Sequence, residues 1–235
     1  MPLPKIEKPL FDLYVPSMNK SVKARPFVVR EEKILLTAQQ AGGEKDIILA
    51  IKQVLTNCIV DEFDVDTLAT FDLEYMFLKL RARSVNNVIE VSYRDNEDDK
   101  VYDFQIDLDD VELKVNNNVS NIIKITDTIG IKMKYPSVTI LDNVPDTDNT
   151  SDVVDYLIKS CVDQIFDEDS VYPVGDHTDD ELNEFLDSID IEAFNKIRDF
   201  FEDLPQMYHK LEYTNANGNV RTIELTTLSD FFIWG

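Results

Sequence analysis

Two cysteines, six glycines, two histidines and one tryptophan in 235 residues leave little material for several kinds of function. Two histidines, His177 and His209, offer little acid–base capacity near neutral pH, and neither neighbours a nucleophile in a recognisable elbow. The six glycines form neither G-x-G-x-x-G nor a phosphate loop, so no nucleotide site is signalled. Cys58 and Cys161 each fall on an apolar helical stripe, where a thiol behaves as a small buried hydrophobe, and both are expected to be reduced core residues. The longest unbroken apolar run, Ile47 to Ile51, is far shorter than the ~20 residues needed to span a bilayer. Pro2, Pro4, Pro9 and the charges of Lys5, Glu7 and Lys8 break any signal-peptide pattern, so a soluble, intracellular product without membrane association is expected.

Positive charge is also scarce. The chain carries 46 acidic against 23 basic side chains, a formal net charge of −23. A surface that tracks phosphates needs clustered Lys and Arg, and none stands out, so nucleic acid is not an expected partner. The imbalance is uneven: residues 1–60 hold nine basic and six acidic groups, and everything beyond is strongly acidic. Solubility explains such acidity as readily as a specific electrostatic role.

What is present in ordinary amount is core. Hydrophobic residues make up 43% and aromatics 10%, a globular balance. Prolines concentrated in the first 26 residues predict an extended arm, with a hairpin between Leu10–Val15 and Val22–Val29. Helical spacing of apolar residues predicts helices over Arg30–Ala41, Glu44–Ile59 and Phe71–Arg83, the last capped by Thr70. Alternation then predicts strands at Val88–Tyr93, Val101–Ile106, Val111–Val115, Ile122–Thr126 and Gly130–Lys134. A helix capped by Ser151 should carry its stripe from Val153 to Phe166, a capping box at Thr178–Glu181 should open the next, and Asp190 a third. Asn217-Gly218 marks a closing hairpin between Tyr208–Thr214 and Val220–Leu225.

The expected fold is therefore α+β: an N-terminal extended arm and helices with a small antiparallel sheet over residues 1–141, an acidic linker at 142–152, and a helical domain over 153–235 that ends in a β-hairpin.

Chemistry-bearing patterns are weak. Asp95-Asn96-Glu97-Asp98-Asp99 spaces oxygen ligands as calcium loops do, but Lys100 stands where such a loop needs glycine and Ile106 where it needs glutamate, so a solvated turn is the better reading. Asp146, Asp148 and Asp152 fit a polar linker as well as a weak cation site. Glu112-Leu113-Lys114 on a strand, with acids upstream at Asp95–Asp99, echoes Mg²⁺-dependent nucleases, an echo opposed by the net charge. No catalytic residue, cofactor or metal ligand is nominated.

Two blocks carry a resemblance. One runs from the proline arm through Arg25-Pro26-Phe27-Val28-Val29-Arg30-Glu31-Glu32-Lys33-Ile34-Leu35-Leu36 to Asn57-Cys58 and resumes at Phe71-Asp72-Leu73-Glu74-Tyr75-Met76-Phe77-Leu78-Lys79-Leu80-Arg81-Ala82-Arg83-Ser84-Val85. The other is Phe200-Phe201-Glu202-Asp203-Leu204-Pro205-Gln206-Met207-Tyr208-His209, with the closing hairpin and Leu228-Ser229-Asp230-Phe231-Phe232. Together they resemble the small baseplate hub proteins of T-even-type myophages, a group of hub subunits and hub-assembly chaperones, and nothing in Asn116–Ser170 shares in it.

The resemblance implies a non-enzymatic part of the contractile tail that binds other hub proteins, made in the host cytoplasm and carried in the virion. The alternative it leaves open is an assembly chaperone absent from the virion. The partner-binding residues expected on this reading are Phe11 and Phe27 as anchors, Arg25, Arg30 and Lys33 as basic islands, and Arg81 and Arg83 on the third helix. For the basic residues, pairing within the fold is the competing expectation.

Overall fold

The computed structural model describes residues 6–116, 120–147 and 149–231. It is an α+β protein of helices and small antiparallel sheets. The chain forms two compact units, one from Met1–Lys114 with Gln206–Gly235, the other from Val115–Pro205.

The first unit opens on a hairpin, β1 (Phe11–Val15) against β2 (Lys20–Ala24), closed by a 3-10 turn at Pro16–Met18. Strand alternation sends Leu13, Val15, Val22 and Ala24 inward, none more than 4% exposed. The hairpin is held at both ends. At its tip the buried Asp72 carboxylate accepts hydrogen bonds from the Ser17 amide at 2.9 Å and from the Ser17 hydroxyl. At its base the Arg25 amide donates to the Cys58 carbonyl at 2.9 Å and the Val60 amide to that of Lys23 at 2.8 Å. The proline-rich arm is thus folded onto its own unit from Phe11 onward, while Ile6 and Leu10 ahead of it stay exposed and its first five residues lie outside the described ones.

Helices α1 (Val29–Ala41) and α2 (Glu44–Cys58) follow, and the turn between them needs Gly42, whose φ of +77° suits a residue without Cβ. Ile51, Val54, Leu55 and Cys58 line the inner face of α2 at 1% exposure or less. Helix α3 (Thr70–Ser84) begins one residue earlier than a Thr70 cap would place it, with Ala69 at the cap. Phe71, Leu73, Met76, Phe77, Leu78 and Leu80 are all buried, so apolar contacts surround most of this helix. Each such side chain contributes roughly 1.5–3 kcal/mol on burial, which makes α3 the axis of the unit. Strands β3 (Val88–Arg94) and β4 (Val101–Asp107) pair in register from Val88↔Asp107 to Arg94↔Val101, and β5 (Glu112–Lys114) ends this stretch.

The second unit contains β6 (Ile122–Lys124), β7 (Gly130–Met133), α4 (Val138–Asp142), α5 (Thr150–Cys161), β8 (Val162–Phe166), β9 (Val171–Pro173), α6 (Asp179–Asp187) and α7 (Ile191–Glu202). Its sheet runs β6-β7-β8-β9, all antiparallel. Ile123, Ile131, Met133, Ile158, Cys161, Val162, Ile197 and Phe200 form its core. The capping box at α6 is present, with Thr178 and Glu181 exchanging hydrogen bonds, and Asp190 caps α7 through the Ala193 amide at 2.8 Å.

Two local expectations change here. The apolar stripe through Val162, Ile165 and Phe166 does not prolong the helix: α5 stops at Cys161 and these residues become β8. Their spacing suits both periods, and pairing with β7 and β9 decides for the strand. The cap of α5 is Asn149, whose side chain accepts from the Ser151 amide at 3.1 Å, not Ser151.

From Pro205 the chain returns to the first unit as β10 (Gln206–Thr214) and β11 (Val220–Leu225), then α8 (Leu228–Phe231). Strand β10 lies between β11 and β5, with Gln206 opposite Lys114 and Tyr208 opposite Glu112. The units therefore do not follow the 1–141, 142–152 and 153–235 division. The 142–152 stretch lies inside the second unit, where the Tyr156 hydroxyl donates to the Ile140 carbonyl at 3.0 Å and ties α5 to α4. The closing hairpin belongs to the first unit because β5 offers it a paired edge. Cys58 and Cys161 are free and buried, and burial raises their thiols to about 11 and about 12.

Candidate functional site

The residues nominated for partner binding all lie in the first unit, in several different surroundings. The first is a knot around Glu31. This carboxylate has no exposed surface, and its Oε1 accepts from Arg25 Nη2 at 3.0 Å and from Arg30 Nε and Nη2 at 2.9 and 2.8 Å. Its Oε2 accepts from the Val28 amide at 3.0 Å. Burial alone would raise the Glu31 carboxyl, but the hydrogen bonds from Arg25, Val28 and Arg30 outweigh it and bring it down to about 2. Arg25 also donates to the carbonyls of Pro26 and Asn57, at 3.0 and 2.9 Å, so it joins the start of α1 to the end of α2. Its part is internal. Arg30 keeps 69% of its side chain exposed while it contacts Glu31.

Phe27 is 5% exposed and its amide donates to Ser84 Oγ at 3.0 Å, so this ring anchors the fold and is not offered to a partner. Arg81 is half-buried on α3 within the field of Glu32, and burial lowers its pKa. Lys33 stands exposed beside a cleft between α1 and α2, lined by Ile34, Thr37, Leu49 and Gln53 among others, with a volume of about 460 Å³.

The last setting brings two nominated residues together at a cleft. Phe11 and Arg83 line one cleft of about 220 Å³ with Tyr14, Tyr75, Lys79 and Asp109. Arg83 reaches Asp109 Oδ1 at 3.5 Å with 59% of its side chain exposed. Lys79 forms the floor: its Nζ donates to the carbonyls of Leu108, Asp109 and Val111 at 2.8–2.9 Å and sits 5.2 Å from the centre of the Tyr75 ring. Tyr14, 42% exposed, donates to Asn19 Oδ1 at 2.8 Å. Sequence reading missed Tyr75 and Lys79. A lysine inside the otherwise apolar run of α3 was the available signal, because a buried ammonium needs acceptors close by.

The acidic turn once compared with a calcium loop serves as an internal clasp. Asp95, fully buried, accepts from the Glu97 amide at 2.7 Å and the Tyr213 hydroxyl at 2.5 Å, with Arg221 Nε 3.4 Å away. Glu97 accepts from Asn215 and Asn219 at 2.7 and 3.0 Å and from Arg221 at 3.0 Å, and Asp98 accepts from the Ala216 amide at 2.8 Å. Burial and the bond to Asp95 push the Tyr213 hydroxyl up to about 12, and that ring packs 4.7 Å from Tyr102 and 5.4 Å from Phe104. The turn thereby grips the tip of the β10–β11 hairpin.

The nuclease echo fails on position. Glu112 faces Tyr208 on β10, whereas Asp95 meets Tyr213 five residues along that strand, on the order of 15 Å away. Two carboxylates so placed cannot share one ion, and Lys114 lies over the Tyr208 ring at 4.8 Å. Among the described residues no group of three His, Cys, Asp or Glu side chains could hold a metal, and no helix is long and apolar enough to cross a membrane. Asp148 and Phe232, named in the sequence reading, lie outside the described residues.

Comparison with known proteins gives one finding. The family described as T4 bacteriophage base plate protein matches residues 8–233, a span that includes the 116–170 stretch outside the two blocks of resemblance. No curated protein and no solved structure matches the chain.

Proposed function

This chain belongs to the T4 bacteriophage base plate protein family, and from that premise we propose that it works within the baseplate hub, as a non-enzymatic part that binds other hub proteins during tail assembly. The family match carries the baseplate role. The hub assignment adds the resemblance of the Arg25–Val85 and Phe200–Phe232 blocks to small hub proteins.

The docking face proposed is the start of β1 and the cleft beside it. Ile6 and Leu10 are 82% and 55% exposed, and directly after them Phe11 lines a cleft that Arg83 rims. An exposed apolar segment that leads into a cleft with an aromatic anchor and a planar cation is the chemistry of a protein-binding hot spot. Arg30 and Lys33, exposed on α1, would add electrostatic steering toward an acidic partner. Arg25 and Phe27, engaged with Glu31 and Ser84, take no part in this face.

Pull-down of the hub proteins of the same phage tests the reading. Deletion of residues 1–10, or Phe11→Ala with Arg83→Ala, is expected to abolish capture while the melting temperature hardly moves, since the hairpin from Phe11 to Ala24 keeps its buried face. Undiminished capture by both variants would place the docking face elsewhere. Blotting purified virions then separates a resident hub component, which stays with the particle, from a chaperone, which leaves it.

A further inference from the structure

The second unit holds a cavity of roughly 240 Å³, open to the surface. Ile129, Ile165, Phe166, Val174, Leu182 and Phe185 supply its apolar lining, from the β7 approach, β8, the turn after β9, and α6. Part of this wall exists because Gly130 has no side chain. Gly130 pairs with Phe166 across β7 and β8, and a Cβ on it would meet the Phe166 ring at 2.3 Å. The polar lining is equally specific in sign. Asp167 and Glu181 sit at the cavity with Tyr172 and His177; the Tyr172 hydroxyl donates to Asp167 Oδ2 at 2.9 Å, and His177 Nδ1 lies 3.8 Å from Glu181 Oε2.

Both carboxylates are firmly ionised. Backbone amides of Asp169 and Ser170 and the Tyr172 hydroxyl hold Asp167 below the usual carboxylate range, and hydrogen bonds from Thr178 do the same for Glu181. Among the described residues no lysine or arginine lines the cavity, and the unit as a whole carries 21 acidic and six basic side chains. The volume lies below the ~300–1,000 Å³ of pockets that enclose whole small molecules, which leaves room for about one large side chain.

We propose that this cavity is a socket for a single bulky apolar side chain of another protein, presented on a segment flanked by lysine or arginine. The apolar interior would take the side chain out of water, and Asp167 and Glu181 at the mouth would pair with the flanking cations. A neutral or acidic segment would leave those carboxylates without cationic partners and gain only the apolar contact. This site lies in the second unit and does not depend on the docking face proposed for the first. With it, the protein carries two chemically different binding sites, one in each unit, and can join two partners.

A fluorescein-labelled peptide, Lys-Lys-Phe-Leu-Lys-Lys, titrated with the full chain and followed by anisotropy, tests the proposal against two controls, Ser-Ser-Phe-Leu-Ser-Ser and Lys-Lys-Ser-Gly-Lys-Lys. Saturable binding of the first peptide, at least about tenfold tighter than either control, is expected. Asp167→Asn with Glu181→Gln keeps an acceptor oxygen for the local turn and the capping box, so it should fold, and it should weaken binding roughly tenfold. Tyr172→Ser and Phe185→Ala should weaken it through the apolar part, and Gly130→Ala by shifting the Phe166 ring. The proposal is overturned by absence of binding, by equal binding of the Ser-Gly control, or by unchanged binding in the Asp167→Asn, Glu181→Gln variant with an unchanged melting temperature.

Discussion

In the first unit Glu31, Asp72 and Asp95 are fully buried, and each accepts hydrogen bonds that tie separate pieces of chain together. In the second unit, for all its acidity, no carboxylate is buried among the described residues. The same residue type does two jobs. Inside the first unit carboxylates are fasteners: Glu31 joins α1 to β2 through Arg25, Asp72 pins the β1–β2 tip, and Asp95 grips the β10–β11 tip. In the second they are surface charge, short-range caps such as Glu181 and Asp190, and the rim of a cavity. Composition alone cannot tell these apart, because the difference lies in how many donors the fold brings to each oxygen.

The sharpest way to break this contrast is to remove the fastener with the most donors. Glu31→Ala leaves the partly buried Arg25 without its principal partner, though still bonded to two carbonyls, and is expected to cost about 2–4 kcal/mol. Chemical denaturation would show it as a fall in midpoint with little change in slope, whereas Glu168→Ala, an exposed acid of the second unit, should stay within about 0.5 kcal/mol of the parent. Equal effects at the two positions would erase the distinction between fastener and surface acid. Acid adds a check: the folded-state pKa of Glu31, about 2, lies below its unfolded value, so its contribution is present at neutral pH and disappears as pH falls toward 2. That pH-dependent loss should amount to about 1–3 kcal/mol and be absent in Glu31→Ala.

Glu74 on α3 is the counter-example inside the first unit. Burial raises its carboxyl to about 7. A raised acid favours the folded state while protonated, so its contribution is greatest below the unfolded carboxylate pKa and is lost as pH rises through 7. Glu74→Gln is therefore expected to stabilise the protein by about 1–2 kcal/mol at pH 8 and to change little at pH 4. Melting curves of the two proteins across that range decide it; a gain that is constant with pH would mean that ionisation of Glu74 is not the cause.

The smallest effect is expected from the largest change. Since Lys114 and Gln206 face each other across β5 and β10, the second unit is inserted between neighbouring strands, and a short glycine-rich turn can replace residues 115–205. The remaining unit should melt cooperatively within a few degrees of the corresponding transition in the full chain. A molten product would show that the two units are not separable folding bodies.

Much of the secondary structure was legible because local rules governed it. The α2 stripe, the capping box at Thr178–Glu181 and the Asn217-Gly218 turn each place their signal within a few residues, and the observed elements agree with it closely. What escaped was every feature that depended on a distant partner. The Val162–Phe166 stripe suited both helix and strand until β7 and β9 lay beside it. Phe27 and Arg25 read as exposed candidates because nothing in their neighbourhood announces Ser84 or the Asn57 carbonyl. Phe11 and Arg83, far apart in sequence, come together at one cleft.

By itself, then, the sequence determined the α+β composition, the reduced core cysteines, the turn residues and the acidic balance, all of which follow from residue type and short spacing. Tertiary structure alone decided that the closing hairpin completes the first unit, that 115–205 is an insertion, and which carboxylates are buried and which exposed. The physical reason is the same in each case: strand pairing and the desolvation of a charge are settled by groups that the chain supplies from up to about 120 residues away, as Tyr213 supplies its hydroxyl to Asp95.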